Sequence, residues 1–232
     1  MFSYYGSKSK VINRYPAPRY GKIIEPFAGS ARYALKYWDR DVLLVDKYEV
    51  IVRIWKWLQE CSPQDILKLP EPKLGEYIRR SDYDCQEAFD FMGFMIKQGQ
   101  ATPAANVSSF GFSASGGIPN KKRLIAPNVM KIKHWKIQLG DYRDIPNERA
   151  TWFIDPPYQN GGDYYKFGNK EIDFSSLAAW CKLREGQVIV CENMRANWMP
   201  FFPIGNMHGA AHDTTEAVWC NDVGQLTLPL GE

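Results

Sequence analysis

No Cys-x-x-Cys pair occurs among the five cysteines at 61, 85, 181, 191 and 220. Their number is odd, and they read as reduced thiols of a cytoplasmic protein, with no disulfide framework. No apolar run approaches the ~20 residues that a membrane-spanning helix needs. The opening Met1-Phe2-Ser3-Tyr4-Tyr5-Gly6-Ser7-Lys8 lacks a signal-peptide core. Membrane partners are therefore not expected. Two nucleotide fingerprints are also missing, G-x-G-x-x-G and the P-loop G-x-x-x-x-G-K-[ST]. His208-x-x-x-His212-Asp213 has metal-ligand spacing, but it has no H-E-x-x-H glutamate and is flanked by Gly205 and Gly209, so no metal is expected. A further absence is local. From Phe91 to Gly140 there is no Asp or Glu, while Lys97, Lys121, Lys122, Arg123, Lys131, Lys133 and Lys136 all fall there. A cationic stretch without one anion fits phosphate binding better than a solvated face.

What is present is an ordinary soluble composition. The chain has 232 residues, 45% hydrophobic and 24% charged, with a net charge of +3. That is enough for one domain carrying an insertion. Aromatics reach 14%, and rings serve both cores and base stacking. Lys22-Ile23-Ile24-Glu25 reads as a buried strand, Ala31 to Trp38 as a helix, Val42 to Asp46 as a strand and Tyr48 to Glu60 as an amphipathic helix. After a proline-punctuated junction, Glu87 to Ile96 reads as helix and 99–120 as a long loop. Lys136–Leu139, Thr151–Ile154, Gln187–Cys191 and Thr215–Cys220 read as strands, the last antiparallel, and Phe174–Leu183 as a helix. The expectation is an α/β fold of two parts, 1–60 with 136–232, interrupted by an insertion over 61–135.

Carboxylates close or follow the predicted strands: Glu25, Asp46, Asp141 and Asp155. In an open parallel sheet, the carboxyl ends of the strands form the ligand crevice. The turn Pro26-Phe27-Ala28-Gly29-Ser30 follows the first strand, and Asp46 lies 17 residues after Gly29. An acid at about 20 residues is suited to a ribose hydroxyl pair. One glycine and no phosphate cradle suit a nucleoside ligand without pyrophosphate, such as S-adenosylmethionine.

Asp155-Pro156-Pro157-Tyr158 follows a strand and matches the needs of methyl transfer to an exocyclic amine. A carboxylate and a backbone carbonyl can accept both N–H bonds, directing the nitrogen lone pair to the methyl donor. Two prolines fix the segment that carries the carbonyl, and the tyrosine offers a face for an extruded base. The same geometry serves adenine in DNA, adenine in RNA or the N4 amine of cytosine. A DNA-binding module without turnover is a fourth reading, although the intact motif argues against it. Phe110 and Phe112 are candidate wedges or stacking rings, or part of a small folded-back core. Asn160-Gly161-Gly162 is a flexible loop or a turn.

The ordered set resembles the Dam-type DNA adenine-N6 methyltransferases, over most of the chain outside the insertion. Tyr4-Tyr5-Gly6-Ser7-Lys8 is similar to the family's aromatic-x-Gly-Gly-Lys stretch, and Glu25-Pro26-Phe27-Ala28-Gly29 to its Glu-Pro-Phe-x-Gly turn, with Ala31 where a glycine follows. Asp46 matches the ribose-binding acid, Asp141-Tyr142 the pair at the cofactor adenine, and Asp155–Tyr158 the catalytic motif. Tyr165-x-Phe167, Asp173-Phe174, Asn193 and Thr215–Asn221 resemble later segments in the same order. The resemblance implies a Rossmann-like S-adenosylmethionine-dependent sheet with a small inserted target-recognition domain. It implies cofactor contacts from Tyr4, Gly6, Lys8, Glu25, Pro26, Phe27, Ala28, Gly29, Ser30, Asp46, Asp141, Tyr142 and Asp155. Lys8 is expected at the cofactor carboxylate. Double-stranded DNA is the implied partner, with Lys97, Lys121, Lys122, Arg123, Lys131 and Lys133 as its expected contacts. The compact chain is similar to phage or prophage members of the class. No recognition sequence is implied.

Overall fold

The structure is a computed structural model that describes residues 1–8, 11–97, 99–108, 117–208 and 213–222. Contacts divide the chain into two compact units, one of Met1–Ser7 with Tyr48–Leu139 and one of Lys8–Lys47 with Gly140–Glu232.

The second unit carries an α/β sheet. Its strands are β1 (Lys22–Glu25), β2 (Asp41–Asp46), β4 (Ala150–Ile154), β5 (Gly186–Asn193), β6 (Phe202–His208) and β7 (Asp213–Cys220), in the spatial order β2-β1-β4-β5-β7-β6. The pairs β1–β2, β1–β4 and β4–β5 are parallel, whereas β7 runs antiparallel to both β5 and β6. Parallel strands buried on both faces should be continuously apolar. Ala150-Thr151-Trp152-Phe153-Ile154 is buried at every position, and β5 is buried from Gln187 to Asn193. Among the described residues, the α-helices of this unit are α1 (Arg32–Lys36) and α6 (Phe174–Lys182). Asp173 starts α6 by accepting the N–H groups of Ser175 and Ser176. The core joins Ile24, Val45, Trp152, Ile154, Val188 and Val190 of the sheet to Leu177 and Cys181 of α6. Each such large apolar side chain contributes about 1.5–3 kcal/mol on full burial.

The first unit is mostly helical, with α2 (Glu49–Glu60), α3 (Pro63–Lys68), α4 (Gln86–Ile96) and α5 (Gly117–Ile125), and it ends in β3 (Lys136–Leu139). The buried stripe of α2 is Ile51, Val52, Ile54, Trp55 and Leu58, the helical spacing seen in the sequence. Phe2 joins it, 5.4 Å from Trp55 and 5.5 Å from Phe94 between ring centroids. This aromatic packing explains why α2 clusters with the segment that follows it, where the sequence reading grouped it with the catalytic part. The predicted loop 99–120 is more ordered than expected at both described ends. Residues 105–107 pair with 75–78 through Ile78 N–H to Ala105 and Val107 N–H to Glu76, at 2.9 and 3.0 Å, and α5 begins at Gly117. Phe110, Phe112 and His212 lie outside the described residues. Among the described residues, no helix is long and apolar enough to cross a membrane.

Candidate active site

Strand β1 lies between β2 and β4, so the chain runs from β1 to one side of the sheet and later lays β4 down on the other. That reversal opens a crevice beyond the carboxyl ends of the strands. Glu25, Asp46 and Asp155, expected at strand ends, all fall there. Glu25 is buried, and its Oε1 accepts the Ala34 N–H at 2.6 Å. Burial pushes its carboxyl well above the usual range, opposed by the Ala34 hydrogen bond and reinforced by Asp155. Its role is to tie the start of α1 to β1 and so shape the turn between them.

That turn is held from several sides. The Ala28 N–H donates to Val45 O at 3.0 Å, and the Gly29 N–H to Asp46 Oδ2 at 2.9 Å. Gly29 has φ 44°, and Ala31, with φ 46°, is left-handed without being glycine, which is a strained choice. Asp46 is thus part of the turn's own support as well as the acid at the end of β2. Its carbonyl accepts the Gly140 N–H at 3.1 Å, which brings the Asp141 loop alongside. Asp141 pairs with Arg143 through both carboxylate oxygens, at 2.8 and 2.9 Å, and the Arg143 fork holds its carboxyl below the ordinary range. Tyr142 packs its ring 5.4 Å from Phe27 and 5.1 Å from Trp180. The turn, Asp46 and Asp141-Tyr142, far apart in sequence, therefore share one wall of the crevice.

The Asp155–Tyr158 motif sits beside a buried charge cluster. Lys8 Nζ is 2.8 Å from Asp155 Oδ1 and 3.7 Å from Glu216 Oε1. The same ammonium lies 4.5 Å from the centroid of the Tyr158 ring. Glu216 Oε1 also accepts hydrogen bonds from the hydroxyls of both Tyr15 and Tyr158. Burial lifts Asp155 from 3.8 to about 6; Lys8 opposes the rise and Glu216 adds to it. The Asp155 side chain keeps 23% of its exposure, so water tempers that rise. For Lys8, burial alone would lower the pKa, but Asp155 and Glu216 outweigh it and hold the ammonium charged. Burial chiefly pushes the Tyr15 and Tyr158 hydroxyls far up, with Glu216 adding to both, so each stays a donor.

The motif continues as a clamped loop. Glu192, fully buried on β5, accepts the Gln159 N–H at 2.8 Å and the Trp198 indole N–H at 3.0 Å. Asn193 Nδ2 donates to Asn160 O at 2.8 Å, and Asn169 Nδ2 to Gln159 O at 2.9 Å. A Cβ at Gly162 would stand 2.5 Å from the Tyr158 carbonyl oxygen and 2.9 Å from Pro157. The segment read as a flexible loop or a turn is a turn, bonded down on the side next to the motif.

The first unit holds the remaining predicted residues. Tyr4 is buried 5.6 Å from the Phe94 ring, and Gly6 sits in a turn with φ 71°. Of the predicted DNA contacts, Lys122 is only 2% exposed and donates to Leu69 O at 2.5 Å and Glu71 at 2.8 Å. Lys121 donates to Met95 O at 2.8 Å. Lys133 reaches Cys61 O at 2.7 Å, and also Gln59 O, where it caps the carbonyl end of α2. Arg123 is exposed, while Lys97 and Lys131 are half-buried. Part of the cationic stretch thus braces its own unit. Tyr15, Glu192 and Glu216 were not picked out as site residues from the sequence. Tyr15 carries no local signal, since its partner is 201 positions away.

No protein-family model matches the chain, and no curated protein sequence matches it. Among solved structures, it resembles a "conserved hypothetical protein" of Streptococcus pyogenes at 12% identity and a TM-score of 0.37, covering 88% of this chain and 87% of that one. It also resembles a "putative methyltransferase yhhF from Escherichia coli" at 8% identity and a TM-score of 0.35, covering 91% of this chain and 78% of that one. These overlaps are loose, and the functional reading rests on the site itself.

Proposed function

We propose that the chain is a methyltransferase using S-adenosylmethionine, and that its acceptor is the N6 amine of adenine in double-stranded DNA. The observation that carries the proposal is the convergence of Asp155, Lys8, Tyr158 and Glu216 beside the Gly29–Asp46–Tyr142 wall at one end of one sheet. The wall fits an adenosyl group. It offers an acid at the end of β2, a glycine turn that admits close approach, and aromatic rings from Phe27 and Tyr142. The cofactor, when bound, supplies an electrophilic methyl group. Asp155 accepts an N–H of the incoming amine and draws the lone pair out of the aromatic ring. Its pKa of about 6 leaves it anionic at neutral pH. Pro156 and Pro157 fix the backbone carbonyl that takes the second N–H. Tyr158 presents its ring to a base swung out of the duplex. Tyr4 and Gly6 as cofactor contacts rest on the family resemblance alone, and Lys97, Arg123 and Lys131 as DNA contacts on charge, since the amines of Lys121, Lys122 and Lys133 serve their own unit.

Labelled S-adenosylmethionine and unmethylated duplex DNA test the reading, with the products digested to nucleosides and weighed by mass spectrometry. N6-methyladenine formed by wild type and lost in Asp155→Ala is expected. N4-methylcytosine, or product on RNA alone, would replace the acceptor. No product on any nucleic acid would remove the reading.

A further inference from the structure

We infer that Glu216 is a positioning residue of the acceptor site, holding the plane of the Tyr158 ring against which the substrate base stacks. This rests on the methyl-transfer reading above. Glu216 lies on β7, one strand beyond β5, and is 3% exposed. A carboxylate placed so deep is costly unless every lone pair is used. Here Oε1 alone accepts from the Tyr15 and Tyr158 hydroxyls and lies 3.7 Å from the Lys8 ammonium. Tyr15 is itself fixed, buried with its ring edge-on to Phe153 at 5.1 Å.

A tyrosine attached to a two-proline turn is constrained at its backbone but retains rotation about its side-chain bonds. The hydroxyl bond to Glu216 restrains the far end of the ring. The ring is then held at both ends, by the clamped loop through Gln159 and by β7 through its oxygen. The Lys8 ammonium lies over the same ring and donates to Asp155, the arrangement expected of an amine about to be methylated. A base entering the site has to take over that bond from Lys8. Glu216 is the second anion within reach of Lys8, so the exchange leaves no buried cation without a partner.

The test uses the full chain, unmethylated genomic DNA and S-adenosylmethionine, with tyrosine rings labelled with carbon-13. Glu216→Ala should lower kcat roughly tenfold or more, the loss expected of a hydrogen bond to a charged group. Cofactor affinity should stay at the wild-type value. The Tyr158 ring resonances should shift and average, and Glu216→Gln, which keeps an acceptor oxygen, should recover most of their order. Combined with Tyr158→Phe, Glu216→Ala should cost clearly less than the sum of the two single effects, because the bond between the two residues can be lost only once. Wild-type kcat and unchanged ring resonances in Glu216→Ala would overturn the inference. Full additivity would do so too. If Glu216→Ala does not fold, Tyr158→Phe removes the same bond from the other end, and wild-type kcat there overturns the inference equally. Absence of methyl transfer by wild type would instead remove the function, leaving the ring measurement to decide the hold of Glu216 on Tyr158.

Discussion

Each unit buries a lysine, and the two are used differently. Lys122, in the first unit, is held by a carbonyl and by Glu71, whose side chain is half exposed. Its charge is compensated at the boundary with water, and its bonds fasten α5 to the segment after α3. Lys8, in the second unit, faces Asp155 and Glu216, with the Tyr158 ring beside it. Its neighbours are all titratable: the buried Glu216 on β7 and the half-buried Asp155 and Tyr158 that follow β4. Burial of a charge does not mark a site by itself, because ion pairs that hold a fold together are also buried. The distinguishing feature is a cation enclosed by several ionisable groups on a crevice that the sheet topology opens.

Four substitutions probe that contrast. The largest effect is expected from Asp155→Ala, which should reduce methyl transfer by about a thousandfold or more while the protein still folds, as measured by labelled methyl incorporation and thermal melting. Next is the pH profile. Methyl transfer should fall as pH drops through about 6, because protonated Asp155 no longer accepts the amine. Lys8 keeps that pKa down, so in Lys8→Met the acid limb should move to higher pH; an unmoved limb would separate Lys8 from the acceptor site. In the first unit, Lys122→Met should cost about 2 kcal/mol of stability by denaturant titration, the value of hydrogen bonds to a charged group. Activity per folded molecule should remain as in wild type. Smallest is Arg123→Gln. Stability should change by less than about 0.5 kcal/mol, and the salt slope of duplex binding should fall by about 1 if Arg123 meets a phosphate. An unchanged slope would take Arg123 out of the interface.

The central strands were legible because parallel strands buried on both faces need unbroken apolar runs, and Ile23-Ile24, Val42–Val45, Thr151–Ile154 and Val188–Cys191 supply them. Other elements were hidden by residues with two meanings. Pro63 read as a break, yet it occupies the first turn of α3, where Ser62 and Asp65 form a capping box. Strand β6 has no alternation to read. Pro203 and Gly205 flank a register shift in its pairing with β7, and Arg14 bonds to Ile204 O there at 2.9 Å. The strand-end acids were readable because each closes or follows an apolar run, and the Asp155–Tyr158 motif because its residues are contiguous. The Tyr15–Glu216–Tyr158 arrangement was not, since it joins three separate segments and exists only once β7 is in place beside β5. The cationic stretch was legible only as a count of charges. Composition counts charges, but it does not show which amines are already used by carbonyls, as those of Lys121, Lys122 and Lys133 are.

Gly162 has a consequence for anyone who would transplant this chemistry to another scaffold. Its missing side chain is what lets the returning chain pass against the carbonyl of Tyr158 and the backbone of Pro157. Moving Asp155 to Tyr158 alone onto a new strand end would carry the proposed acceptor groups without the backbone that presses on them. The smallest portable piece runs from Asp155 to Gly162, and it needs a buried acid like Glu192 waiting on the neighbouring strand.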